Sequence, residues 1–203
     1  MSQLLVSRST EESHLYMQLH PCECGEADFE WRERGLVQRD ERLVSVYSGE
    51  CERCGRPRVF EFALVPEPAP PAPALGGDLP SSIIDPGEFW RIGEELARAV
   101  PADPAALGDD EFYGAYDALA FALASVDEVL KFIPEGADAV PPESFRSPAG
   151  RQLHARSPEL FSRSRLLATR DAYGRLLAEY DAAARASASS WRREAGAGQA
   201  PRS

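Results

Sequence analysis

The placement of the cysteines constrains this chain more than any other feature. The sequence of 203 residues contains four cysteines, which form two close pairs, Cys22 with Cys24 and Cys51 with Cys54. The pairs are 26 residues apart, and each is followed directly by a glycine. In a reducing compartment, closely paired cysteines are more often metal ligands than disulfides. The sequence therefore predicts a metal site.

Three segments around the cysteines have the composition of short β-strands. Apolar residues alternate with polar ones in residues 28–34 and 42–47, and residues 58–65 are rich in valine, phenylalanine and leucine. Residues 38–41 form a polar link between the first two segments. Alternation bounded by polar turns is typical of strands, so we expect three of them.

Two cysteine turns at the ends of short antiparallel strands resemble a zinc ribbon, over residues 18–65. Gly25 and Gly55 suit such turns, because the chain often needs a positive φ just after a second ligand. The resemblance implies one structural Zn²⁺ bound at about 2.3 Å by four thiolates, with no open position for water. The implied ligands are Cys22, Cys24, Cys51 and Cys54. The first pair departs from the usual spacing, since only Glu23 separates its cysteines, and His20 is an alternative ligand.

Two other interpretations of the cysteines stay open. One is a redox pair, although neither pair lies at the start of a predicted helix, where a thiolate is stabilised. The other is a site that has lost its metal. Because a three-stranded sheet of this size has little core of its own, bound metal would supply much of its folding free energy.

Composition divides the chain into segments. Residues 1–17 are interpreted as an N-terminal extension, and the Pro/Ala-rich residues 66–80 as a linker that packs no core. Residues 81–186 are predicted to form a bundle of about four α-helices, and residues 187–203 a disordered tail. The expected fold class is α+β: a three-stranded antiparallel zinc ribbon joined by the linker to a helical bundle that moves somewhat independently of it.

Capping signals predict where the helices begin. Asp85 precedes Pro86 and lies three residues before Glu88, which predicts a helix that ends at Pro101. A second, longer helix is expected over residues 109–133.

Three further signals concern the later helices. Ser125 and Glu128 form another capping box, which predicts a break in the second helix. Ser147 and Ser157 are each followed by proline, as at a helix start, and Ser157 is expected to begin the last long helix.

The net charge of −11 is unevenly distributed. Residues 1–65 carry eight arginines against twelve acidic residues, residues 66–145 carry three basic against sixteen acidic residues, and residues 146–203 carry eleven arginines against five acidic residues. The acidic middle segment would repel nucleic acid and attract a basic protein. The simplest interpretation of the basic segment is that the last helix packs beside the acidic second helix. The alternative is a patch for an anionic partner, formed by Arg151, Arg156, Arg163, Arg165 and Arg170.

The sequence contains no nucleophile elbow, phosphate-binding glycine loop or H-E-x-x-H motif, so we expect no enzymatic activity. His154, which lies between two arginines, is interpreted as a solvated helix residue. No apolar run has the length of a membrane span, and the first residues lack the order of a secretory signal. We therefore expect a cytoplasmic location.

Two functions fit these observations. The first is a protein–protein interaction protein of the immunity or antitoxin type that neutralises a basic toxin, and the paired cysteine turns loosely resemble those of bacterial immunity proteins. The second is a nucleic-acid-binding or transcription-associated adaptor, the common role of zinc ribbons. Its phosphate contacts would be Arg32, Arg34, Arg39, Arg42, Arg53, Arg56 and Arg58. The net charge of −4 in residues 1–65 disfavours the second function.

Overall fold

The computed structural model describes residues 4–66, 71 and 73–197, and these form an α+β protein. The strands are β1 Leu5–Ser7, β2 Glu33–Arg39, β3 Arg42–Glu50 and β4 Pro57–Leu64. They form one mixed sheet in the order β1-β4-β3-β2, in which β1 is parallel to β4 and the other neighbours are antiparallel. The predicted three-stranded antiparallel ribbon is therefore wrong, because the N-terminal segment adds a fourth strand beside β4.

The first predicted strand is displaced along the chain. We expect it at residues 28–34, whereas β2 begins at Glu33. The aromatic residues that suggested the alternation pack outside the sheet ladder. Trp31 stacks on His14 with ring centroids 4.7 Å apart, and Phe29 contacts Phe60 at 5.3 Å. Tertiary packing of these rings thus replaces the strand that local alternation predicts.

The hairpin between β2 and β3 is tighter than the predicted link at residues 38–41. Arg39 pairs with Arg42, so that Asp40 and Glu41 alone form the turn. Their φ angles are 45° and 65°. Positive φ at both central residues gives a two-residue turn whose twist matches that of the flanking strands.

The predicted N-terminal extension contains regular structure. After β1, helix α1 spans Thr10–Leu19, and the Ser9 hydroxyl accepts a hydrogen bond from the Glu12 amide at 2.9 Å. Met17 of this helix is buried against aromatic residues of β3 and β4. The Ser-x-x-Glu pattern at residues 9–12 is a helix-start signal that could have predicted this helix.

Two helices begin where the capping signals predict. Helix α2 spans Pro86–Ala99, and Asp85 and Glu88 form the predicted reciprocal capping box. Helix α4 spans Pro148–Arg156, and the Ser147 hydroxyl caps its first turn. These predictions are confirmed.

Two other predictions about helices are wrong in detail. Helix α3, Asp109–Leu130, runs without the expected break, because the Ser125 hydroxyl donates to the Phe121 carbonyl of the preceding turn instead of capping a new helix. Ser157 precedes only the short 3₁₀ helix Pro158–Phe161.

Helix α5 therefore starts later than Ser157 and spans Arg163–Ala197. It continues into the segment predicted as a disordered tail, residues 187–203. Alanine and arginine, which are frequent there, are strong helix formers. Residues 198–203 lie outside the described residues.

One large hydrophobic core contains residues from both sides of the predicted linker. Leu15 of α1 and Leu75 of the linker segment are buried in the same cluster as Phe89 of α2, and Leu75 is 0% exposed. The other buried members are Ile84, Trp90, Val126, Val129, Phe132, Ile133, Val140, Phe145, Phe161 and Leu166. The domain boundaries stay a prediction, but the C-terminal end of residues 66–80 contributes to this core.

The basic helix α5 packs beside the acidic helix α3, as expected. Arg170 donates to Asp127 at 2.6 Å, and the Tyr116 hydroxyl donates to Asp181 at 3.1 Å. Among the described residues, none of the helices combines the length and hydropathy that crossing a membrane requires.

Candidate metal centre

The fold brings all four cysteines together. Cys22 and Cys24 lie in the segment after α1, and Cys51 and Cys54 lie in the turn between β3 and β4. Their four sulfur atoms all lie within 4.8 Å of one another. The cysteines are thus positioned to coordinate a metal ion, as the sequence predicts.

Each pair lies in a hydrogen-bonded backbone turn, and the turn of the first pair is one residue shorter than that of the second. The Gly25 amide donates to the Cys22 carbonyl, and the Gly55 amide donates to the Cys51 carbonyl, both at 2.7 Å. The φ angles of these glycines are +87° and +69°, which L side chains rarely adopt. The role expected of the two glycines is confirmed, and the single-residue spacing of the first pair does not prevent the turn.

The distances between the sulfur atoms fit tetrahedral coordination of one ion and not a disulfide. The Sγ atoms of Cys22 and Cys54 are 3.6 Å apart, as are those of Cys24 and Cys51. Four sulfurs at about 2.3 Å from one ion are about 3.8 Å apart, whereas a disulfide joins its sulfurs at about 2.05 Å. All four cysteines are free thiols.

The site lies at the edge of the protein interior. Cys22 and Cys51 are buried, Cys24 is half-buried and Cys54 is exposed. Four sulfurs complete a tetrahedral coordination sphere, which leaves no position for water or substrate. Chemically, this arrangement is suited to a structural ion.

The electrostatics of the thiols also favour a cation. Burial opposes ionisation of Cys51, but hydrogen bonds from the amides of Cys54 and Arg53 lower its pKa to about 7. The Arg56 amide acts to lower the pKa of Cys54, yet desolvation and the neighbouring cysteine thiols raise it to about 12. Since four thiols this close cannot all ionise on their own, a divalent cation would supply the missing positive charge.

Arginines connect the two cysteine turns. Arg58 is buried, donates to the His20 carbonyl at 2.5 Å and lies over the Phe29 ring at 4.7 Å. Arg56 forms an ion pair with Glu23 across the site. These contacts hold the segment after α1 against the β3–β4 turn.

The structure does not support His20 as an alternative ligand. Its Nδ1 atom lies 2.8 Å from the Tyr16 carbonyl oxygen, and its ring stacks on Tyr16 with centroids 3.7 Å apart. Among the described residues, the group that could hold a metal contains only the four cysteines. His154, which the sequence predicts to be solvated, is half-buried, since its ring stacks on Phe145 and contacts Phe161.

Sequence reasoning missed a second cluster of charged residues, which joins α1 to α3. Arg8 donates to Glu12 at 2.7 Å and to Glu128 at 2.8 Å, and Lys131 donates to Glu128 at 2.6 Å. The Glu12 and Glu128 side chains are 0% and 2% exposed. Because 120 residues separate Arg8 from Glu128, no local pattern predicts their contact.

Comparison of the chain with protein-family models, with curated proteins and with solved structures finds no match in any of the three. By its fold and its site, the chain is an α+β protein with four cysteines positioned to coordinate a metal ion.

Proposed function

We propose that this chain is a non-enzymatic interaction protein of the immunity or antitoxin type, whose acidic helical part binds a basic protein such as a toxin. The observation that carries the proposal is a group of exposed acidic residues at the start of α3 and just before it. We call this group the α3 acidic end; it consists of Asp103, Asp109, Asp110 and Glu111. Opposite charge on a partner would favour and accelerate binding there.

The α3 acidic end has two properties of a binding surface. First, the ion pairs formed by the described acidic residues of α2 and α3 involve Glu94, Glu95, Asp127 and Glu128, and none of these four belongs to the α3 acidic end. Second, Tyr113 beside the acidic end is 65% exposed. Tyrosine is enriched among the residues that dominate binding energy at interfaces.

A matched pair of variants tests this proposal in pull-downs from the native cell at moderate salt. The test variant carries Asp109→Asn, Asp110→Asn and Tyr113→Ala. The control carries Glu94→Gln, Glu95→Gln and Leu79→Ala, which make the same change of charge elsewhere. We expect the wild type and the control to recover a basic protein that the test variant loses. Recovery of no basic protein by the wild type would argue strongly against the proposal.

Three of the arginines that the adaptor function would use have contacts within the chain that favour a protein partner over nucleic acid. Arg32 pairs with Glu50 at 3.2 Å and Arg39 pairs with Glu61 at 2.6 Å, while Arg58 is buried. The carboxylates beside Arg32 and Arg39 reduce the positive potential that attracts phosphates, and the buried Arg58 is shielded from them. If the adaptor function were correct, gel shifts with DNA and RNA would reveal binding that weakens steeply with salt; we expect none.

For the metal we propose Zn²⁺ in a structural role, in a reducing cytoplasm. A tetrahedral set of four sulfurs suits zinc and also iron, and zinc needs no redox partner. When bound, the ion would neutralise thiolate charge and tie together the two cysteine turns. Elemental analysis of protein purified without added metal tests this, and we expect one zinc per chain.

A further inference from the structure

Strand β2 is one edge of the sheet and includes none of the residues of the α3 acidic end. Among the described strands, β3 is the single neighbour of β2 in the sheet, and all seven residues of β2 are exposed. An edge strand presents unpaired amide and carbonyl groups, which can pair with another strand. The proposed function makes no use of this edge.

Apolar side chains gather around this edge. Leu36 of β2 and Leu43 of β3 lie on one face of the sheet and are 59% and 48% exposed, while Val37 of β2 lies on the other face and is 38% exposed. Trp31, which precedes β2, is 38% exposed. Exposed apolar groups that lie together on a soluble surface are typical of an interaction site.

The sequence of β2 is complementary to itself in one antiparallel register. If Leu36 lies opposite Leu36 of a second copy, Glu33 of each copy lies opposite Arg39 of the other. In the same register Val37 lies opposite Gly35, which has no side chain to crowd it. Both ends of the pairing thus place opposite charges together, which stabilises cross-strand pairs, and the centre is apolar.

The contacts already present are compatible with this register. Arg39 donates two hydrogen bonds to Glu61 of its own chain, at 2.6 and 2.7 Å. A guanidinium carries five N–H donors, so it can also serve a second carboxylate. The opposing residues have the same parity, so each side chain meets one from the same face of the other sheet.

We infer that β2 pairs edge to edge with β2 of a second copy, antiparallel and centred on Leu36, to form a two-fold symmetric dimer with a continuous eight-stranded sheet. A symmetric interface of this kind uses the same surface on both chains. Because an edge of seven residues is only about 24 Å long, we expect a dimer that dissociates on dilution.

Sedimentation of the full chain from about 1 μM to about 1 mM, the range in which weak complexes dissociate, tests the inference. We expect the mass to rise from 22.2 kDa towards twice that value. Leu36→Glu and Leu36→Lys each place like charges at the two-fold axis, so each should weaken the dimer at least about tenfold. An equimolar mixture of the two variants should restore it, because opposite charges then face each other. Leu79→Glu, at a residue 75% exposed elsewhere, is the control and should dimerise like the wild type.

Three outcomes would overturn the inference. A wild-type mass of 22.2 kDa at every concentration would show that the edge stays free or takes a strand from another protein. Full dimerisation of both single variants would place the interface elsewhere, and failure of the mixture to recover would exclude this register.

Hydrogen exchange of the wild type adds a test without mutation: the β2 amides should exchange more slowly at high concentration, and unchanged rates would contradict the pairing.

Discussion

At the scale of the residue, this protein contains two separate sets of side chains, and within each set the members depend on one another. The four cysteine thiols lie close enough for one cation, and each supplies a quarter of its coordination. The buried carboxylates of Glu12 and Glu128 are compensated by Arg8 and Lys131. Loss of one member leaves the others without a partner, so the effect exceeds that of the missing contact alone.

Replacing Cys51 with serine should abolish stoichiometric metal binding and destabilise the sheet together with the helices connected to it. Cys51 is 1% exposed, and three remaining thiols leave the coordination sphere incomplete. Elemental analysis and far-UV circular dichroism measure both effects. Glu23→Gln is the control, because it changes an exposed side chain between two ligands and should still bind one metal. Metal bound normally by the serine variant would contradict the four-thiolate site.

Replacing Glu128 with glutamine should lower the free energy of unfolding by about 3 kcal/mol, because it leaves the partly buried Arg8 and Lys131 undercompensated. The adjacent Asp127→Asn is a matched control. It breaks a pair with Arg170 whose side chains are 42% and 49% exposed, so it should cost less than about 1 kcal/mol. Urea unfolding measures both, and equal effects would show that the cluster contributes no more than a surface pair.

At the scale of the element, the packing of α2 against α3 depends on close approach. A Cβ added at Gly93 of α2 would lie 3.0 Å from the Ser125 Cβ and 3.2 Å from the Ala122 carbonyl oxygen of α3. Both distances are shorter than ordinary van der Waals contacts, and one involves backbone. Ser125, whose capping signal suggests a helix break, therefore lies at a close contact between two continuous helices.

Gly93→Ala should destabilise the protein by about 1 to 3 kcal/mol, because α2 and α3 must move apart. Gly114→Ala provides the opposite expectation within α3 itself. An added Cβ there meets nothing within 4 Å, and alanine is the better helix former, so stability should rise by about 0.5 to 1 kcal/mol. Thermal unfolding of both variants measures the signs. If Gly114→Ala also destabilised the protein, the gain in helix propensity expected at this exposed position would be contradicted.

At the scale of the whole molecule, α1 connects the sheet to the helices, since its Met17 packs with Tyr47 and Phe62 of the sheet. Leu15 of α1 and Leu75 of the linker segment lie in the large core, and Arg8 reaches Glu128 of α3. Ser9 also donates to the Leu75 carbonyl at 2.7 Å. These contacts oppose the independent movement that the Pro/Ala-rich composition of residues 66–80 suggests.

Removal of the metal with a chelator should therefore destabilise the helices as well as the sheet. We expect a lower midpoint in a single unfolding transition, with helical circular dichroism and aromatic near-UV signals that coincide. Two separate transitions, of which only one responds to the chelator, would instead support two independent units. In the Glu128→Gln variant the sheet and helix transitions should coincide less well, because this variant removes a connection between α1 and α3.

Local patterns in the sequence predict much of the site and most helix starts. Cysteine spacing and the following glycines predict the two turns, because a ligand turn depends on a few adjacent residues. Asp85 and Ser147 predict helix starts for the same reason, since a cap satisfies amides two or three residues away. Residues 28–34 mislead because Phe29 and Trp31 have the composition of a strand, but distant rings determine where they pack.

By itself, the sequence determined the cysteine turns, the α+β composition and the charge of each segment, all of which depend on neighbouring residues. Only the tertiary structure decided that residues 5–7 join the sheet beside β4, that Leu75 enters the core and that Arg8 meets Glu128. Each of these depends on the free energy of burying and pairing groups that are far apart in the chain, and short-range periodicity contains no record of such partners.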